Sequence, residues 1–240
     1  MRTLVIGDIH GAIKALTQVL ERADIQSTDH LIFLGDYADG WSQTPEVLDF
    51  LISYQHQQRC LFLRGNHDAL CYDFLQGKNM DTLWRLHGGK ATEKAYQNVT
   101  ETRRQAHLDF LASLQNYYLD AQNRLFLHAG FTNLRGIAYE HFPEMYYWDR
   151  TLWELAQSST LPPTDPHYPN RLKLYTHIYI GHTPTTRLGT DKPLSFNGVT
   201  NVDTGAAFKG RITIMDIDTL QYWQSDPVYI LYPDEAGRNQ

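Results

Sequence analysis

Five short apolar runs, each ending in the same kind of polar residue, constrain this chain more than any other feature. Thr3-Leu4-Val5-Ile6 leads to Gly7-Asp8-Ile9-His10-Gly11, and Leu31-Ile32-Phe33-Leu34-Gly35 leads to Asp36. Leu61-Phe62-Leu63-Arg64-Gly65 delivers Asn66 and His67, Leu125-Phe126-Leu127 delivers His128, and Ile178-Tyr179-Ile180-Gly181 delivers His182. Runs of leucine and β-branched residues closed by glycine read as buried strands. Ligand sites of open α/β sheets gather at the carboxyl ends of their strands. A lone Asp-x-His, Gly-His or Asn-His turn is ordinarily a hydrogen-bonding device. Five in one chain supply a mixed oxygen and imidazole donor set, enough for two divalent metals.

The remaining chain supports an α/β reading. Ile13, Leu16, Val19 and Leu20 recur at helical spacing, so Thr3 to Leu34 reads as a βαβ unit. Thr44 and Pro45 read as an N-cap and first helical position, with Val47, Leu48, Leu51 and Ile52 on the buried side. Residues 1–240 read as one domain, with an aromatic-rich helical insertion at about 69–119 that either shapes access to the site or covers the sheet. Residues 161–169, rich in proline, read as a surface loop. Gly210 to Asp216 and Thr219 to Trp223 alternate like antiparallel strands and are assigned to a second sheet. The tail from Asp234 to Gln240 reads as frayed.

Bulk properties exclude several classes. A formal charge of -6 argues against a surface for duplex nucleic acid. It does not forbid a phosphorylated substrate, because bound dications supply local positive charge. No apolar run approaches the roughly 18 residues of a membrane span. Met1-Arg2 leads straight into the first strand with no export signal, so the expectation is cytoplasmic. Cys60 and Cys71, the only cysteines, read as ordinary reduced thiols.

These residues can perform metal-assisted hydrolysis. Asp8 and His10 can serve one ion, Asn66, His128 and His182 the other, and Asp36 can bridge them. Two ions roughly 3.5–4 Å apart stabilise the attacking and leaving oxygens of an in-line displacement at phosphorus and acidify a shared water. Carboxylate, amide and imidazole donors admit manganese, iron or zinc alike, and two manganese ions are the first expectation. His67 adjoins Asn66 and is a candidate general acid, with Asp39 as the carboxylate that fixes its tautomer. His177 is the histidine most easily mistaken for a ligand.

Gly7-Asp8-Ile9-His10-Gly11, Gly35-Asp36-Tyr37-Ala38-Asp39, Arg64-Gly65-Asn66-His67-Asp68, His128-Ala129-Gly130 and Gly181-His182 together resemble the calcineurin-like metallophosphoesterases. The likeness is to the phosphoprotein phosphatase branch, including bacterial serine/threonine phosphatases and symmetrical diadenosine tetraphosphatases. Trp84-Arg85-Leu86-His87-Gly88-Gly89, with Thr92 and Tyr96, and Asn201 to Ala206 resemble further segments of that branch. The resemblance implies a β-sandwich of two mixed sheets flanked by helices on both outer faces. It implies Asp8, His10 and Asp36 on one metal, and Asp36, Asn66, His128 and His182 on the other. Asp39 and His67 match the family's acid pair.

Gly40 departs from the pattern, because the family follows this aspartate with an arginine that clamps the substrate phosphate. Arg150, in Trp148-Asp149-Arg150, is the candidate replacement by analogy with a basic residue of the family, and Asn66 is a second candidate substrate contact. The leading expectation is hydrolysis of phosphate monoesters by metal-bound hydroxide, with phosphoserine or phosphothreonine in proteins as substrate. The second is a dinucleoside polyphosphate hydrolase, with Trp41 or the insertion stacking a base. The third is a weakly active metal-bound scaffold.

Overall fold

The computed structural model describes residues 1–238. Ten strands are formed: β1 (Thr3–Ile6), β2 (His30–Phe33), β3 (Arg59–Phe62), β4 (Tyr117–Leu119), β5 (Arg124–Leu127), β6 (His177–Ile180), β7 (Leu194–Phe196), β8 (Val199–Asn201), β9 (Thr213–Asp216) and β10 (Tyr222–Gln224). They make two five-stranded sheets, ordered β10-β9-β1-β2-β3 and β4-β5-β6-β8-β7. β1, β2 and β3 run parallel, as do β5, β6 and β8, and the other pairings are antiparallel.

The period of two along each strand sorts side chains between layers. Val5, Ile32, Phe126, Tyr179 and Met215 form a cluster drawn from both sheets, with the Phe126 and Tyr179 rings stacked 5.1 Å apart. Leu4, Ile6, Leu31 and Phe33 instead pack on α1 (Ile13–Arg22) and α2 (Thr44–Tyr54). On the far side Leu125, Leu127, Ile178 and Ile180 pack on Leu152, Trp153 and Ala156 of the helix Thr151–Ser158. Strands buried on both faces need such continuous apolar runs. The α/β/β/α sandwich is therefore the architecture expected from the resemblance.

Four local expectations are corrected. Residues 210–224 do form antiparallel strands, but β9 pairs with β1 (Ile6 with Ile214) and extends the first sheet. Thr44 is not a helix cap: Gln43 occupies that position, and the Thr44 hydroxyl accepts the Asp39 N–H at 3.2 Å. The helix after β3, α3 (Asn66–Leu75), starts three residues earlier than Ala69, so Asn66 and His67 lie in its first turn. The tail is anchored as far as Arg238: the Ser42 N–H and hydroxyl donate to Glu235 at 2.9 and 2.7 Å, and the Arg238 N–H donates to the Ala207 carbonyl at 2.9 Å. Residues 239 and 240 lie outside the described residues. No helix among the described residues is long and apolar enough to cross a membrane.

One ion pair ties β1 down. Asp29 is 1% exposed and accepts from the Arg2 N–H at 3.0 Å, from Arg2 Nε at 3.1 Å and from the Gln26 N–H at 2.9 Å. Burial raises its pKa, but these donors outweigh it and hold the carboxyl down at about 2. A folded-state pKa below the unfolded value contributes stability above the unfolded pKa, and that stability is lost as pH falls toward 2. Asp29→Asn is therefore expected to cost about 1–3 kcal/mol at pH 7. Denaturant titrations at several pH values should find the difference shrinking below pH 4 and mostly gone by pH 2.

Candidate metal centre

The parallel strands of both sheets end on the same side, and their turns converge. The Ile9 and His10 N–H groups donate to the Asp36 carbonyl at 3.0 and 2.9 Å, and the Gly181 N–H to that of His128 at 2.8 Å. Among the described residues eight non-glycine positions have positive φ, and four of them are His10, Asp36, Asp39 and His182. Such conformations cost energy and concentrate at functional sites. Gly65 allows the closest approach, since a Cβ there would collide with the Asp36 carboxylate.

Two donor groups result, Asp8 with His10 and Asp36, and Asp36 with His128 and His182. Within each, the ligating atoms lie within 4.8 Å of one another, and Asp36 belongs to both. His10 Nε2 lies 3.7 Å from Asp8 Oδ2 and 3.5 Å from Asp36 Oδ2, while His128 Nε2 lies 3.4 Å from Asp36 Oδ1. Asn66 Oδ1 sits between His128 Nε2 at 3.2 Å and His182 Nδ1 at 2.9 Å. Donors about 3–3.5 Å apart suit ligands bound about 2.1 Å from one ion. All six residues named from the sequence are thus brought together and buried.

Supporting contacts aim the imidazoles inward. His128 Nδ1 lies 2.8 Å from the Leu34 carbonyl, and His10 Nδ1 lies 3.2 Å from that of Ala38. Donation there leaves each Nε2 a lone pair toward the cluster. Burial alone would lower the His128 pKa, but Asp36, Asp8 and Asp68 prevail and push it well up. Burial likewise opposes ionisation of Asp36, yet His128, His67 and His10 hold its carboxyl far below the usual range. The carboxylates thus demand positive charge, and without metal a proton on His128 meets it. A divalent cation answers the same demand and displaces that proton. The residues fit two divalent ions.

The second named pair also meets. His67 Nδ1 is 2.8 Å from Asp39 Oδ2, and Asp39 is fully buried. Trp84 Nε1 donates to the same oxygen at 2.8 Å, and the Thr92 hydroxyl donates to Asp39 Oδ1 at 2.7 Å. The helical insertion therefore does more than cover the sheet, because it supplies both groups that pin this carboxylate. Burial lowers the His67 pKa, opposed by Asp36 and by the Asp39 hydrogen bond.

Other expectations divide. Arg150 lies at the start of the helix Thr151–Ser158, exposed and with no ion pair among the described residues. Its charge helps to lower the His182 pKa, after burial and His128. Trp41 cannot stack a base, because it is 0% exposed and donates to the Ala206 carbonyl at 2.8 Å. Trp148 is the aromatic at the rim, 43% exposed, with its ring centre 6.3 Å from that of His182 in an edge-to-face pair. His177 bonds Thr200 at 2.7 Å, away from the site. Arg64 supports its turn by donating to the Leu111 carbonyl at 3.2 Å.

Asp68 belongs to the motif Arg64-Gly65-Asn66-His67-Asp68, but the sequence alone assigns it no role. It accepts from the N–H groups of Gly65, Asp36 and Tyr37 at 2.8 Å and of Ala38 at 3.3 Å, locking two of the converging turns. Its signal was an acid three residues into a helix after glycine.

The profile of the calcineurin-like phosphoesterase family matches residues 1–208. The asymmetrical bis(5'-nucleosyl)-tetraphosphatase PrpE of Anoxybacillus flavithermus is 28% identical over 229 residues, covering 88% of each chain. The fold resembles that of a candidate diadenosine tetraphosphatase at TM-score 0.63 and 16% identity, covering 93% of this chain and 92% of that one. A protein serine/threonine phosphatase of Saccharomyces cerevisiae superposes at TM-score 0.59 and 12% identity, covering 95% and 83%. The structural likenesses bear on the fold alone.

Proposed function

Because the chain belongs to the calcineurin-like phosphoesterase family, a family of metal-dependent phosphatases, we propose that it hydrolyses phosphoric esters and anhydrides at the cluster around Asp36. The observation that carries this reading is the shared carboxylate. Asp36 joins Asp8 and His10 to Asn66, His128 and His182, the six residues we assign to two divalent ions, with manganese the first to try and iron or zinc also compatible. Bound there, the ions would supply Lewis-acid stabilisation and an acidified water.

The chain's own residues do the rest. Water's oxygen would bond to phosphorus as it gives up a proton, and the bond to the leaving oxygen would break. That oxygen would take a proton from His67, and the proton lost by the water would restore the imidazole by way of solvent. Asp39 accepts from Nδ1 and so keeps Nε2 turned toward the substrate. Asn66, at the start of α3, and Arg150, at the rim, would donate to the phosphate.

Of the two substrate classes, we favour the dinucleoside polyphosphate. A relative bearing that activity in its name covers 88% of the chain, and exposed Trp148 beside His182 offers a face for a nucleobase. One observation favours a phosphoserine or phosphothreonine protein instead. A serine alkoxide is a poor leaving group that needs the acid pair His67 and Asp39 more than a nucleotide does.

A manganese-supplemented comparison of p-nitrophenyl phosphate, a phosphothreonine peptide and diadenosine tetraphosphate tests the choice. The expected result is a kcat/KM at least about tenfold higher for the dinucleotide, about 1.4 kcal/mol of transition-state preference. Preference for the peptide would reverse the assignment, and metal binding without turnover of any would return the scaffold reading.

A further inference from the structure

Among the described residues, seven of the fourteen arginines pair with carboxylates: Arg2, Arg22, Arg85, Arg103, Arg124, Arg171 and Arg211. Arg238 does not. Its side chain is half-buried, makes no ion pair among the described residues, and has a buried Nε with no hydrogen-bond partner. An unpaired, partly desolvated guanidinium is costly to keep unless an anion completes it.

The fold works to keep it in place. Trp41 packs on Tyr232 with ring centres 5.2 Å apart and planes tilted by 30°, and Glu235 takes two bonds from Ser42. Gly237 lies against Trp41, at φ +57 and so close that a Cβ would press on the indole. Arg238 is then fixed by its own N–H on the Ala207 carbonyl, with its Cζ 5.2 Å from the Phe208 ring centre.

This position is beside the chemistry. A Cβ built on Gly40 would lie 3.2 Å from His10 Cβ and 3.7 Å from Arg238 Cγ, and one on Gly88 would lie 3.1 Å from Arg238 Cγ. The arginine stem therefore runs past two glycines, one of them adjacent to Asp39 and packed on His10. Its charge also reaches Arg150, whose pKa it lowers after burial and Arg187.

We propose that Arg238, carried to the rim of the metal centre by the C-terminal segment, holds the substrate's phosphate group. The assignment rests on the phosphoesterase reading above. A planar guanidinium offers a phosphate two parallel N–H donors, and the stem between Gly40 and Gly88 fixes the direction of approach. Binding of inorganic phosphate to the metal-loaded full-length protein tests it by calorimetry, alongside KM for p-nitrophenyl phosphate. Arg238→Ala should weaken phosphate and raise KM by about 10- to 100-fold, the range of charge-assisted hydrogen bonds. Arg238→Lys, which keeps the charge but not the fork, should fall between alanine and wild type. Arg59→Ala, at the opposite end of β3, should stay within about twofold of wild type.

Wild-type phosphate affinity in Arg238→Ala, or an equal loss in Arg59→Ala, overturns the assignment. If the alanine variant melts more than about 2 °C early, the lysine variant decides. Weakened phosphate at full stability upholds the role, and unchanged affinity refutes it. Phosphate binding that needs Arg238 without turnover of any ester would sink the proposed function and leave this assignment standing.

Discussion

Asp36→Asn is expected to reduce turnover by about 10⁴-fold, or about 5.5 kcal/mol of transition-state stabilisation. The reason is its double membership. One oxygen faces His10 and the other faces His128, and Oδ1 also accepts the His67 N–H at 2.9 Å. Asparagine fills the same volume, but it removes the negative charge and turns one acceptor into a donor. Neither donor group then keeps its full set of lone pairs. The loss should therefore appear in metal stoichiometry as well as in rate. Calorimetric titration with manganese is expected to fall from two ions per chain to one or fewer. The metal-dependent rise in melting temperature should shrink accordingly, since it follows the ratio of free metal to Kd. A variant that still binds two ions and keeps a tenth of the activity would remove Asp36 from the bridging position. Chelation of the wild type should abolish activity, and added manganese should restore it.

The convergence of the six candidate ligands was legible because it uses the most local grammar in the chain, an apolar run and the turn that follows it. Parallel strands then bring those turns to one end whatever the connections between them. What failed to read was everything that depends on partners distant in sequence. The strand character of residues 210–224 was visible, but their sheet was not, because β9 pairs with β1 from the opposite end of the chain. Thr44 has the look of a helix cap, and only the folded loop reveals that its hydroxyl serves Asp39. Trp84 and Thr92 stood out as a pattern, yet their bonds to Asp39 require the insertion to fold back across α2 and α3. Trp41 and the tail misled together. A tryptophan beside a glycine in a site loop suggested a base platform, and a polar C-terminus suggested fraying. In the fold each immobilises the other, and the segment that was written off delivers Arg238.

His67→Ala is expected to distinguish substrates by their leaving groups. A general acid contributes about 10²- to 10⁴-fold when the departing oxygen is strongly basic. An alkyl phosphate should therefore lose about 10³-fold in kcat, and p-nitrophenyl phosphate, whose phenolate departs unaided, less than about tenfold. Asp39→Asn should approach the same pattern. Asparagine can turn its oxygen to Trp84 Nε1 and His67 Nδ1 and its amide to the Thr92 hydroxyl, but it removes the negative charge that stabilises the protonated imidazole. The double variant should be little worse than either single one, because the two residues act as one unit. The pH profile carries the same signature. Burial lowers the His67 pKa, so its acid form is lost early as pH rises, and the alkaline fall in kcat on alkyl phosphates should flatten in His67→Ala. Equal losses on alkyl and aryl phosphates would leave His67 as a structural neighbour of Asn66. A dinucleoside polyphosphate releases a nucleotide oxyanion of modest basicity, so its loss should lie between the two extremes. Its size then measures how far this acid pair is matched to the substrate the site prefers.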